Sequence, residues 1–535
     1  MKTMINSIIL ASCLALPLAS CSDSDAAPEQ KDWSTTTYFN SSDAAAQDTY
    51  YKPAVGYVGD PMPFFDPVAG DFKVLYLQDF RPNPEGTYHP IWGVSTKDAA
   101  HYTALGELVS CGTLKSQDAA IGTGSTIYDE ASKLYYTFYT GNKYKPTGDE
   151  SAQAVMVATS PDFKTWTKDR TFLLKGQDFG YDKNDFRDPF VFKGDDGKFH
   201  MLVSTKKSGK GSLAEFVSDD LKNWTDNGVF MTMMWDRFYE CPDLFKMGDY
   251  WYLVYSEIHH AVRRVQYFKG RTLDELKACT ANDAGIWPDA HEGFLDSRGL
   301  YAGKTASDGT NRYLWGWCPT RSGKDNTAVG ASPAEPEWGG NLVCYKLIQH
   351  EDGTLTLGQV DAVSEKYNQD VAVEVKESQN MTEADGTYTL AGNAELPDAY
   401  MLMGRLGNHN KISFTVTTSN EWDKFGISMV RGSDSKKYYT MVVNPEDENN
   451  RKVNFEEQGV EGKGFIAGID GYVFARPADN VYNITIYTDN SICVMYINDV
   501  CSYTNRIYGI QKNCWSINSY NAANVKISNL KISQY

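Results

Sequence analysis

Positive charge is in short supply along this 535-residue chain: 51 Lys and Arg stand against 69 Asp and Glu, a net charge of −18. A protein that tracks a phosphate backbone needs a basic surface, so nucleic acid is excluded as a partner. An acidic excess is otherwise the ordinary state of a soluble protein. Cysteine is sparse and scattered: ten are present, none in a CxxC pair or a zinc-type spacing. Disulfides are not needed in a chain of this size, and most of the cysteines beyond the first 21 residues read as small buried side chains. The adjacent His259 and His260 point to opposite faces of a strand and cannot share an ion. No metal or other cofactor is required. Apolar residues at 3.6-residue spacing are also scarce, which excludes a long helix-rich enzyme.

What the chain has in quantity is aromatic residues, 13% of the total with 34 Tyr and 12 Trp, while charged residues make up only 22%. That balance suits a large β-rich protein that grips uncharged rings. Sugars stack their C–H faces on aromatic side chains and bond through hydroxyls to carboxylates and amides. The length implies at least two domains.

The first residues read as a secretory signal. Lys2 is followed by a largely apolar run from Ile8 to Leu18, then Ala19 and Ser20. Leu18-Ala19-Ser20-Cys21 resembles the lipobox of bacterial lipoproteins, in which Cys21 becomes the acylated first residue. Residues 1–21 are therefore expected to be leader and 22–50 a tether. With Asp23 and Asp25 in that tether, the protein is expected at the outer membrane of a Gram-negative bacterium, lipid-anchored and exposed at the surface.

Short aromatic and β-branched segments recur at 73–78, 134–139, 199–203, 250–255 and 312–317, bounded by Gly, Asp or Pro. Their spacing of roughly 50–65 residues falls within the range for four-stranded propeller blades. A second motif repeats with them: Ser160-Pro-Asp162 through Trp166 and Ser218-Asp-Asp220 through Trp224 are near copies. Ser95 through Tyr102 is a looser version with one extra residue. Each copy reads as a polar turn whose closing aromatic packs into the next sheet. A four-stranded sheet cannot bury both faces alone, so such sheets stack radially. The expected fold is all-β, with a five-bladed propeller over residues 51–365. From about residue 370 both motifs stop while short strands continue, predicting an antiparallel β-sandwich over 370–535.

Three acidic residues stand beside proline in strand contexts: Gly59-Asp60-Pro61-Met62, Arg187-Asp188-Pro189-Phe190 and Glu240-Cys241-Pro242-Asp243. Proline is tolerated where a strand begins, and the innermost strands of a propeller begin at one end of a central channel. Acids at matching repeat positions converge there, although they are far apart in sequence. Two converging carboxyl groups are what a retaining glycosidase needs, one to attack the anomeric carbon and one to protonate the leaving oxygen.

In this order and spacing the three motifs resemble those of glycoside hydrolase family 32, the invertases, inulinases and levanases. The resemblance implies a five-bladed propeller followed by a β-sandwich, and hydrolysis of β-fructofuranosidic bonds in fructans, fructo-oligosaccharides or sucrose with retention. It implies Asp60 as nucleophile, Asp188 as transition-state stabiliser, Glu240 as acid/base and Arg187 placed against substrate. Gln78 matches the family's substrate-contacting glutamine, Trp92 stands in its Trp-Gly segment, and Ser125 lies in its Gly-Ser turn. Trp315 belongs to the fifth-blade segment Leu314-Trp-Gly-Trp317. These four are the expected substrate contacts. Gly59 and Met62 depart from the family by replacing two asparagines, and Thr123 replaces an aromatic residue. Two other readings stay open: an inverting arabinanase-type propeller hydrolase, and a non-catalytic surface glycan-binding lipoprotein on the same fold.

Overall fold

The computed structural model describes residues 49–81, 83–233, 238–257, 264–281, 293–321, 336–431, 438–444, 452–458 and 472–535. The leader, Cys21, nearly all of the tether and the His259–His260 pair lie outside these residues. Thr49 and Tyr50, assigned above to the tether, are instead buried. Their backbone N–H groups both donate to Asp489, at 2.9 and 2.8 Å.

The described chain is all-β apart from a few short helical turns. Strands Tyr57–Asp66, Asp71–Asp79, Ile91–Thr96 and Thr103–Val109 pair antiparallel in chain order. The same up-and-down unit recurs from Ala120–Asp129 and again from Phe186–Lys193. Glu240–Met247, Tyr250–Glu257 and Arg264–Gly270 make a three-stranded unit, with one further bridge from Gln266 to Phe294. The last unit starts at Tyr301–Ser307 and ends at Leu355–Gly358, and it meets the first through the single pairing Val58–Gly340. The opening strand of each unit lies beside the opening strand of the next, and Tyr301–Ser307 lies beside Tyr57–Asp66.

All five opening strands carry a break in register near their start. The breaks fall at Gly59/Met62, Gly122/Gly124, Arg187/Phe190, Glu240/Asp243 and Tyr301/Lys304. In three of them the cause is local: Pro61, Pro189 and Pro242 have no N–H for the ladder, so the strand bulges there. Asp188, Cys241 and Ala302 take positive φ at these bulges, 56°, 51° and 52°. Each such non-glycine residue costs on the order of 1–2 kcal/mol and holds only because both flanks are locked in sheet.

The repeated turn is built as expected, with one correction. Ser160 and Asp162 exchange hydrogen bonds, and Asp162 caps the N–H groups of Lys164 and Thr165. Ser218 and Asp220 do the same for Lys222 and Asn223. In the first unit the matching pair is Thr96 and Asp98, not Ser95 and Asp98. Read from Thr96, that copy has no extra residue, and Ala99, Phe163 and Leu221 share the same left-handed φ (59°, 59° and 63°).

The second half folds as two antiparallel sheets of eight and seven strands. Strand His409–Thr418 alternates half-buried and buried along its length, the period-2 pattern of a strand with one face in a core. Met401, Ile412, Phe425, Ile427, Met441, Ile484 and Trp515 fill the space between the sheets. The two halves are joined by buried polar groups. Arg506 donates to the carbonyls of Pro319 and Cys318 and to Asn341 Oδ1. Asp296 accepts from Ser297 N–H, Thr504 N–H and the hydroxyls of Ser502 and Thr504. Gly299 must lack a side chain here, because a Cβ would stand 1.9 Å from the carbonyl oxygen of Thr504.

Candidate active site

The bulged ends of the opening strands bring the three acidic motifs to one place. Asp60 is gripped at both oxygens: Thr123 Oγ1 donates to Oδ2 at 2.7 Å, and Trp317 Nε1 donates to Oδ1 at 2.9 Å. Asp188 accepts the Cys241 N–H at 2.9 Å, so the second acidic motif is bonded directly to the third. The Asp188 N–H in turn donates to Thr140 Oγ1, whose hydroxyl donates to the carbonyl of Thr123. Glu240 receives Arg187 Nη2 on Oε1 at 2.9 Å and the Tyr301 hydroxyl on Oε2. Arg187 is itself held by Asp185 at 2.8 Å and lies 3.7 Å above the Phe238 ring.

Glu240 does not stand at the repeat position of the two aspartates. Asp60 and Asp188 directly precede proline, whereas Glu240 is one residue earlier, where the neighbouring unit has Arg187. Cys241 takes the aspartate position and shares the left-handed φ of Asp188. The offset places Glu240 beside Arg187 on the adjoining strand, which is why the two form an ion pair.

Burial governs the titration of the site. It pushes the Asp60 carboxyl up, against the Thr123 and Trp317 hydrogen bonds, and the charge of Glu240 adds to the rise. Burial also lifts Asp188 from 3.8 to about 6; Arg187 opposes this, while Glu240 and Asp60 reinforce it. The Cys241 thiol is pushed far up by burial and by the two aspartates, and stays neutral. A raised carboxyl begins to lower stability once pH passes its unfolded value, and the loss is complete above its folded one. The contribution of Asp188 is intact below an unfolded value near 3.8 and is lost as pH rises through about 6. Asp188→Asn is therefore expected to raise the urea midpoint at pH 8, by the equivalent of at most about 3 kcal/mol, and to leave it unchanged near pH 3. An unchanged midpoint at pH 8 would mean that the buried charge is already fully compensated.

Of the expected site residues, Asp60, Asp188, Glu240 and Arg187 form this cluster, and the four expected substrate contacts do not join it. Gln78 is fully buried on the second strand of its unit, and its amide donates to the Val55 carbonyl. Trp92 lies on the third strand of that unit, with its ring against Phe80. Ser125 has both hydrogen-bonding roles taken by the neighbouring unit, donating to Pro189 O and accepting from Val191 N–H, each at 2.9 Å. Trp315 is 0% exposed, packed against Phe72 with its Nε1 on the Tyr102 hydroxyl. The tryptophan at the site is Trp317, opposite Tyr301, while Trp315 pairs with Lys304 beyond the bulge. Trp317 closes the segment Leu314-Trp-Gly-Trp317 that carries Trp315, but alternation puts 315 and 317 on one face and cannot rank them.

The departures at Gly59, Met62 and Thr123 have physical accounts. A Cβ at Gly59 would come within 2.1 Å of the Trp338 ring, so the indole uses the space a side chain at 59 would need. Met62 is buried and its sulfur accepts the Gly124 N–H. Thr123 supplies the hydroxyl that holds Asp60.

Carboxyl groups held by fixed donors where several bulged strands converge are the equipment of a glycoside hydrolase. The chain belongs to glycosyl hydrolase family 32. Residues 50–360 match the family's description "Glycosyl hydrolases family 32 N-terminal domain", and residues 353–532 match "GH32, BT1760-like, C-terminal domain". Among curated proteins it is 26% identical over 310 residues to an insoluble beta-fructofuranosidase of Arabidopsis thaliana, covering 52% of this chain and 50% of that protein. It is 27% identical over 220 residues to the sucrose-6-phosphate hydrolase of Vibrio alginolyticus, covering 39% of this chain and 41% of that one. The chain thus spans about half the length, or less, of the curated relatives it matches. Among solved structures it superposes on a sucrose-6-phosphate hydrolase from Lactobacillus gasseri (TM-score 0.67, 18% identity, 93% of each chain). It also superposes on fructan 1-exohydrolase IIa from Cichorium intybus (TM-score 0.67, 15% identity, 93% and 97% covered). The shared fold is a propeller followed by a β-sandwich.

Proposed function

We propose that the protein is a retaining β-fructofuranosidase acting on fructans, fructo-oligosaccharides or sucrose, and that its five sheet units are the blades of one five-bladed propeller. The observation that carries the reading is the way the three carboxylates are held. Asp60 is fixed by two donors of different side chains, Asp188 by a backbone N–H of the motif that carries Glu240, and Glu240 by Arg187 and Tyr301. A site that only bound sugar would not need two carboxyl groups of different setting, one caged by neutral donors and one paired with a guanidinium.

In this mechanism Asp60 attacks C2 of a fructosyl unit while Glu240 gives its proton to the departing oxygen. The C2–O bond breaks and an ester to Asp60 forms. Glu240 then takes a proton from water, the water oxygen bonds to C2, and Asp60 leaves, so two inversions return the original configuration. Asp188 accepts hydrogen bonds from the ring hydroxyls, and these tighten as positive charge grows on the ring. Thr123 and Trp317 keep Asp60 from rotating between the two steps.

The deciding experiment incubates the purified protein with levan, inulin and sucrose and separates the products. Release of fructose or fructo-oligosaccharides is the expected result, and the substrate cleaved fastest reports the linkage. Binding to a fructan with no release from any of the three would overturn the proposal and leave a glycan-binding protein on the same fold.

A further inference from the structure

Among the buried cations that the mechanism does not use, one stands beside the site. Lys304 stands on the strand Tyr301–Ser307, just past its bulge, and is 2% exposed. Its ammonium reaches across to two other units. Nζ donates to the carbonyl of Gly124 at 2.8 Å and lies 5.3 Å from the centre of the Phe190 ring. Gly124 follows Thr123, which holds Asp60, and Phe190 follows the Asp188–Pro189 bulge. Lys304 thus reaches the chain segments that carry Thr123 and Asp188, forms an ion pair with neither aspartate, and has its charge favoured by Asp243 ahead of Asp188 and Asp60.

The charges around it come from every strand packed on it. Tyr57–Asp66 contributes Asp60. Phe186–Lys193 contributes Asp188, together with Arg187, which is committed to Asp185 and Glu240. Glu240–Met247 contributes Glu240, the neutral Cys241 thiol and Asp243, and Asp243 also feels Arg312 from the following strand. Ala120–Asp129 contributes only the Gly124 carbonyl, and its own strand adds the Tyr301 hydroxyl. Burial works to discharge Lys304, and the carboxylates of Asp243, Asp188 and Asp60 oppose it.

A neutral donor would satisfy the Gly124 carbonyl without the heavy desolvation cost of a buried ammonium. What a lysine adds at this place is charge. We infer that Lys304 is a positioning residue of the site, its ammonium supplying the counter-charge that keeps Asp60 and Asp188 as carboxylates. The inference rests on the proposed hydrolysis, in which Asp60 must be ionised to attack.

The test compares the native protein with Lys304→Gln, Lys304→Met and Lys304→Arg, following kcat/KM on the best fructan from acidic to mildly alkaline pH. Gln keeps a donor for Gly124 without charge. Met removes both and relieves the buried charge, which favours folding. In the two uncharged variants the acid limb is expected to move up by about one pH unit or more, and the alkaline limb by less. Arg is expected to hold the acid limb in place even where its size lowers kcat. An acid limb that stays put in Gln and Met overturns the inference, as does an equal shift in Arg. Failure of both uncharged variants to fold overturns it too, since the charge would then serve the fold. A native protein inactive on every fructan would instead sink the functional proposal, so the two failures are distinguishable.

Discussion

Asp60→Asn is expected to lower kcat on the preferred fructan by about 10⁴-fold or more, a loss of the size seen when the nucleophile of a covalent mechanism is removed. Asparagine has nearly the same shape, so the packing around Trp317 and Thr123 has little reason to change. The hydrogen bonds do change. Asp60 now accepts from an indole N–H on one oxygen and a hydroxyl on the other, and an amide can accept at only one of these places. The amide nitrogen is also a poor nucleophile and cannot form the fructosyl ester. Stability should hold or rise above neutral pH, because burial makes the Asp60 charge costly in the folded state. Product release over time, read beside the melting curve, separates a chemical loss from a folding one. Activity within tenfold of native in a well-folded Asp60→Asn protein would remove Asp60 from the nucleophile's role and, with it, the proposed two-step mechanism.

Asp296→Ala is expected to cost about 3–5 kcal/mol of stability, the range for exposing a buried, multiply bonded polar network to loss of its acceptor. The carboxylate is 0% exposed and takes four hydrogen bonds, from Ser297 N–H (2.6 Å), Thr504 N–H (2.8 Å), Thr504 Oγ1 (2.7 Å) and Ser502 Oγ (2.9 Å). The hydroxyls can turn to other acceptors, but the two backbone N–H groups cannot, and each would be left dry and unpaired. Three of the four donors belong to the second half of the chain, so the loss falls on the seam between propeller and sandwich. Urea unfolding should show the native transition moved to lower denaturant. It should also show the two halves unfolding apart, which a single two-state fit cannot describe. Activity should fall ahead of global unfolding, because Asp296 is five residues before Tyr301, the donor to Glu240. A midpoint within the range of an ordinary surface substitution would show that Arg506 and its three partners across the seam hold it without Asp296.

The site shows how far sequence reasoning reaches. The three proline-linked acidic motifs were legible because they combine chemistry and backbone in a few adjacent residues. Proline breaks the ladder wherever it falls in a strand, so the bulge, and the acid beside it, are local consequences. The repeated turn was legible for the same reason, since Asp162 and Asp220 cap N–H groups two and three residues away. Even the misreading at Ser95 was a slip of one residue, and Thr96 was next to it.

The substrate contacts were another matter. Gln78, Trp92, Ser125 and Trp315 all lie in strands of the right units, but their contacts are with Val55, Phe80, the Pro189 bulge and Tyr102 rather than with the three carboxylates. The residues that do hold the carboxylates, Thr123, Trp317 and Tyr301, stand 63, 257 and 61 positions from their partners. By itself the sequence determined the all-β class, the strand units, the change of texture near residue 370 and the acids at the strand starts. Each of these depends on residues a few positions apart, through strand alternation, turn capping or the missing N–H of proline. Only the tertiary structure decided that Glu240 pairs with Arg187, that Trp317 and not Trp315 meets Asp60, and that Lys304 reaches across to Gly124 and Phe190. Those contacts join separate strand units, and which side chains meet is fixed by how far along its strand each one sits when the units come together.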